Sequence, residues 1–123
     1  FDLVVLSETL QAIRRPRELL HQILRVAREA VITFPNFASL EVRAKLLANG
    51  RMPKGRQIPH EWYDTPNIHL FTLKDFLTLC ELDNIAVRDV ICESGNAWER
   101  LLLALGWKNL GASKVTVRVA RRN

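Results

Sequence analysis

Two short apolar runs, DLVVLS at 2–7 and AVITFPN at 30–36, are separated by a stretch of helix length carrying a single apolar stripe. This arrangement narrows the possible folds more than any other feature of the chain. A nearly continuous run of β-branched and aliphatic residues suits a strand covered on both faces, as in a parallel sheet. Between the runs, Pro16 has its φ preset for a first helical turn, and Leu19, Leu20, Ile23, Val26, Ala27 and Ala30 follow at helical spacing, predicting a helix over 16–29. Strand, helix, strand in that order is a βαβ unit with a parallel pair.

The remaining chain continues the pattern. ASLEVRAKLLANG predicts a second helix over 38–50, with Leu40, Leu46 and Leu47 on its apolar side and Gly50 as its stop. TLKDFLTLCEL predicts a third over 72–82, with Thr72 and Asp75 at capping-box spacing and Phe76, Leu77, Leu79 and Cys80 buried. A strand is expected at 85–93 and a short helix at 97–107. At 114–122 strict alternation of Val115, Val117 and Val119 with Lys114, Thr116 and Arg118 marks an antiparallel or edge strand. Residues 51–71 form a long connection, and connections of that length in compact domains tend to carry function or to be disordered. Its aromatic content argues against disorder.

Composition bounds what such a chain does. With 123 residues, 48% apolar and 25% charged, one globular domain is expected. The net charge of +5 is spread over separate runs: Arg14, Arg15 and Arg17, then Arg51, Lys54 and Arg56, then Arg121 and Arg122. No aromatic residues interleave with these runs, so no nucleic-acid platform is expected. Cys80 and Cys92 are too few for a disulfide scaffold and lack metal-ligand spacing, which fits reduced thiols in a cytoplasmic protein. No apolar run is long enough to cross a bilayer.

The chemistry-bearing residues gather in two places. Asn36 ends the second strand, where it would donate to a substrate carbonyl or cap the helix that follows. In the connection, EWYDTPNIHLFT (61–72) holds Tyr63, Asp64 and His69. His69 with Asp64 offers acid–base chemistry near neutral pH. The same residues read equally as a binding lip, or as a turn at Asp64-Thr65-Pro66 with Trp62 and Phe71 filling a seam. His60 and His69 are too far apart, and too short of companions, for a metal site. Trp98 and Trp107 bracket a leucine-rich helix and would be core or a partner-facing surface.

The stretch FDLVVLSETLQAIRRPRELLHQILRVAREAVITFPN resembles the second half of a Rossmann-like S-adenosylmethionine-dependent methyltransferase. FPNFASLEVRAKLLANGRMPKG followed by PHEWYDTPNIHLFTLKDF resembles, more narrowly, the family of the methionine biosynthesis protein MetW. The resemblance implies an α/β fold: the C-terminal half of a methyltransferase sheet, mostly parallel, with one antiparallel strand and flanking helices. It makes 2–6, 31–35, 86–92 and 114–120 the fourth to seventh strands, the last lying antiparallel between the fifth and sixth. Residues 1–123 would then be a single partial domain with 37–71 as an insertion. The first strand, too apolar for a comfortable edge, would pair with a preceding strand, and the glycine-rich cofactor loop would lie in that N-terminal portion. The resemblance places Ser7 and Glu8 toward the cofactor's methionine end, although Ser7 or Thr9 would also cap the next turn. It implies homoserine O-acyltransferase as a partner. The alternative it leaves is a methyltransferase acting on a small-molecule acceptor.

Overall fold

The computed structural model describes residues 2–54, 59–66 and 68–121. Arg56 and Arg122 of the basic runs lie outside these residues. Four strands, β1 (Leu3–Ser7), β2 (Glu29–Pro35), β3 (Ile85–Glu93) and β4 (Lys114–Arg121), form one sheet in the order β1-β2-β4-β3. β1 and β2 are parallel, with Val4 opposite Ala30 and Leu6 opposite Ile32, and helix α1 (Pro16–Val26) connects them. The βαβ unit is therefore present. α1 stops at Val26 instead of 29, because Ala27 is already extended and β2 begins at Glu29.

The sheet is mixed, and the expectation of a mostly parallel one is corrected. β4 runs antiparallel to both β2 and β3. A reversed strand in the interior makes two antiparallel ladders, leaving β1–β2 as the one parallel ladder among the described residues. The alternation at 114–121 thus belongs to an interior strand, not to an edge.

Period-two patterning sets one face of the sheet inward. Ala30, Ile32 and Phe34 of β2 and Val115, Val117 and Val119 of β4 are all fully buried. They join Leu20, Ile23 and Leu24 of α1 and Phe76 and Cys80 of helix α3 (Leu73–Leu82) in one core. Phe34 anchors it, with ring centroids 4.7 Å from Phe71 and 5.2 Å from Phe76. Burying side chains of this size contributes about 1.5–3 kcal/mol each. The capping box of α3 is complete: Thr72 Oγ1 accepts from Asp75 N, and Thr72 N donates to the Asp75 carboxylate.

The opposite face carries Leu3, Val5 and Ile91, all more than half exposed. Thr33 and Thr116 share a hydroxyl hydrogen bond on it, and Arg118 reaches both Asp89 and Glu29. The expectation that β1 is covered on both faces is not met by the described residues.

Helix α2 (Leu40–Asn49) departs from its expected packing. Val42 is its buried residue, while Leu46 is partly exposed and Leu47 almost wholly so. Ser39 caps it, and Gly50 ends it at φ 62°, a left-handed conformation suited to glycine. The expected helix 97–107 is two pieces, α4 (Ala97–Ala104) and α5 (Lys108–Gly111), broken at Gly106 with φ 87°. The two pack closely at Gly111, where an added Cβ would lie 2.8 Å from the Glu99 carbonyl oxygen. No helix among the described residues is long and apolar enough to cross a membrane.

Candidate functional site

Open α/β sheets take ligands beyond the carboxyl ends of their parallel strands. Here that edge begins at Ser7 and Glu8. Glu8 has φ 52°, a conformation that costs a side-chain-bearing residue about 1 kcal/mol or more. Its N–H donates to the Thr33 carbonyl at 2.8 Å, which holds the turn in place. Its carboxylate stands 3.8 Å from the Lys114 ammonium, with both side chains partly open to solvent. Thr9 does not cap the next turn with its side chain; its hydroxyl donates to the Ser7 carbonyl.

The following 3-10 turn, Leu10–Ala12, holds a residue that sequence reasoning missed. Gln11 is 3% exposed, and its side-chain Oε1 is buried without a hydrogen-bond partner among the described residues. Buried polar atoms are nearly always paired, since an unpaired one costs about 1–3 kcal/mol. The main chain of Gln11 is engaged: its carbonyl accepts from His69 N at 2.9 Å. A glutamine one turn past a strand end, flanked by Leu10 and Ala12, was the available signal.

Asn36 is 1% exposed and fully engaged. Its Nδ2 donates to the Asn109 and Ala112 carbonyls, each at 2.8 Å. Its Oδ1 accepts from Ala38 N and Leu73 N. The helix cap expected of Asn36 is corrected: Ser39 accepts from Val42 N and is the cap of α2. Asn36 instead ties the end of β2 to the starts of α2 and α3 and the end of α5.

The aromatic connection lies over this edge only in part. His69 is half-buried, and its Nε2 donates to the Arg14 carbonyl at 3.2 Å, which fixes the tautomer. Tyr63 and Asp64 are exposed on a turn closed by Asp64 N donating to the Glu61 carbonyl. No hydrogen bond or ion pair joins Asp64 to His69 among the described residues. Phe71 fills the seam against Phe34, whereas Trp62 is 73% exposed and stacks edge-on with Tyr63. The connection encloses a cleft of about 320 Å³ lined by Phe37, Met52, His60, Trp62 and Ile68, among others. Asn67 of this stretch lies outside the described residues.

Neither thiol is activated as a nucleophile. Burial pushes the Cys80 thiol up to about 11, and burial also raises Cys92. Both stay protonated near neutrality. No group of three metal-ligating side chains occurs among the described residues.

Comparison with solved structures defines the class. The chain superposes over 99% of its length on the small RNA methyltransferase HEN1, with a TM-score of 0.62 and 13% identity, covering 14% of that protein. At this identity the likeness is one of fold, so the chain is an α/β protein of methyltransferase-like architecture. The chain belongs to the family of the methionine biosynthesis protein MetW, whose model matches residues 1–118. It is also 38% identical over 92 residues to the bifunctional methionine biosynthesis protein MetXA/MetW of Rhodopirellula baltica. That match covers 74% of this chain and 15% of the relative, so the chain spans about a seventh of both proteins.

Proposed function

We propose that this chain serves methionine biosynthesis as a methyltransferase-like scaffold acting with homoserine O-acyltransferase, the enzyme that activates homoserine. One observation carries this reading: a relative 38% identical to the chain is a bifunctional protein joining MetXA and MetW. Joining two modules in one chain raises their effective concentration to roughly the millimolar range, an advantage only if they work together. In this reading MetXA is the acyltransferase half, and the present chain corresponds to the MetW half.

A second reading is a S-adenosylmethionine-dependent methyltransferase acting on a small-molecule acceptor, and the unpaired Oε1 of Gln11 favours it. The residues of the edge fit one end of that cofactor. Its methionine portion bears an ammonium, and Ser7 Oγ, the Glu8 carboxylate and Gln11 Oε1 are acceptors. When bound, the cofactor would supply an electrophilic methyl group on sulfur. Ser7, Glu8 and Gln11 would hold and orient its ammonium, Asn36 would keep the edge rigid, and Tyr63, Asp64 and His69 would form the lip facing substrate or partner. Methyl transfer depends mainly on alignment, so it needs no acid–base triad.

The test is a titration of the full-length protein with S-adenosylmethionine, paired with co-purification against homoserine O-acyltransferase. Association with the acyltransferase, with or without cofactor binding, supports the first reading. Cofactor binding with turnover of an acceptor and no association overturns it in favour of the second.

A further inference from the structure

The groove between α3 and α5 has an unusual charge arrangement. Leu73 and Leu77 form its floor, and Trp107, still 59% exposed, forms a wall. Arg43 of α2, Lys74 of α3 and Lys108 of α5 stand around a cavity of about 520 Å³ that no carboxylate lines. None of the three cations has an ion-pair partner among the described residues. Some other cations of the chain are paired, such as Arg17 with Asp83, Lys45 with Glu41 and Lys54 with Glu61.

Two details set this cluster apart from a solvated basic face. Arg43 is anchored, its Nε donating to the Ala38 carbonyl at 2.7 Å, so less side-chain freedom is lost when it meets an anion. Lys74 lies in the first turn of α3, where the helix dipole disfavours a cation. Three cations around an apolar floor favour an anion that bears an apolar side chain, which meets the positive charge and covers the wet apolar surface.

We propose that this groove receives an acidic segment of a protein partner, an aliphatic or aromatic side chain on the leucine floor and carboxylates at the cationic rim. The inference rests on the partner reading above, which makes the segment part of homoserine O-acyltransferase. The surroundings favour a protein over a small anion. Directly before Gly106, α4 and its C-terminal cap residue expose Trp98, Leu101 and Leu105 at one-face helical spacing. Trp107 at the groove is exposed as well, and exposed aromatic and leucine side chains of this kind suit a protein partner.

The test measures affinity between the full-length protein and homoserine O-acyltransferase. Charge reversal in K74E/K108E is expected to weaken binding roughly tenfold or more and to flatten its salt dependence. Reversal of a separate basic pair, R14E/R15E, is expected to stay within about twofold. A photo-crosslinking residue at position 107 in the otherwise unchanged protein provides a readout that does not depend on the variants folding. It is expected to label a glutamate- or aspartate-rich segment of the acyltransferase. Unchanged affinity in a folded K74E/K108E protein, or crosslinks to a segment without carboxylates, overturns the groove assignment alone. Absence of any binding by the unaltered protein overturns the partner reading and this inference together.

Discussion

Asn36 and Gln11 are both buried carboxamides beyond the carboxyl ends of β2 and β1, and they are used in opposite ways. Asn36 meets two backbone carbonyls and two backbone N–H groups. The Oε1 of Gln11 meets none among the described residues. The first is a structural joint, in which one side chain satisfies four main-chain groups from three segments. The second costs folding free energy and returns no hydrogen bond among the described residues. A local rule broken without compensation is expected where function, not stability, sets the residue. The edge near β1, which also holds the strained Glu8, is therefore the better ligand candidate, and the edge near β2 is its support.

The largest effect is expected at the joint. Asn36→Ala leaves Leu73 N, Ala38 N and the Ala112 carbonyl without their partner in a dry region, and a loss of about 4 kcal/mol is expected from urea unfolding. A loss below about 1 kcal/mol would erase the contrast with Gln11. Thr72→Ala removes one arm of the capping box beside the same joint and is expected to cost about 1 kcal/mol. A much larger cost would mean that α3 is held at its start by its own cap more than by Asn36.

Gln11→Leu tests the other half of the comparison. Removing an unpaired buried acceptor is expected to change stability by less than about 1 kcal/mol, in the stabilising direction. The main-chain bond from His69 to the Gln11 carbonyl survives the substitution. If S-adenosylmethionine binds the full-length protein, the same variant is expected to weaken it in the titration. Destabilisation by several kcal/mol would show that Gln11 is packing, not an unspent acceptor.

Sequence alone revealed the parts of this molecule that depend on near neighbours. β1, α1 and β2 follow from periodicities within short windows, and the α3 cap from two residues three apart. The placement of β4 between β2 and β3 came with the family resemblance, since alternation reports a strand and one wetter face but not its neighbours. Leu46 and Leu47 have a helical apolar pattern, yet burial needs a packing surface, and the described residues leave them exposed. The candidate site was legible as a set of residue types more than as an arrangement. Asn36 stood out, but its partners come from Leu73 and Ala112, 37 and 76 positions away. Tyr63, Asp64 and His69 are close in sequence without forming a dyad. For Gln11 the sequence offered only its place one turn past a strand end, since an unmet hydrogen bond is a property of the folded surroundings.

A second joint, made of charges, sharpens the comparison by its response to pH. Asp83 follows α3, and its carboxylate accepts from Arg17 Nε and Nη2 at 2.8 and 2.6 Å and lies 2.8 Å from His21 Nε2. These contacts tie the end of α3 to the first half of α1. The hydrogen bonds from Arg17, then from His21, hold the Asp83 carboxyl below its ordinary range. A depressed folded-state pKa stabilises the protein above the unfolded value of about 3.9, and that contribution fades as pH falls through the folded value. Asp83→Asn should therefore differ from the unaltered protein at neutral pH and converge with it under acid, as read from urea midpoints. The difference is expected to be the smallest of the set, because Arg17 and His21 are solvent-exposed and salt screens them. The Asn36→Ala penalty, which involves no ionisable group, is expected to hold across the same pH range. If instead the Asp83→Asn difference persists undiminished in acid, the joint works through shape and neutral hydrogen bonding, as Asn36 does, and the carboxylate's charge is incidental.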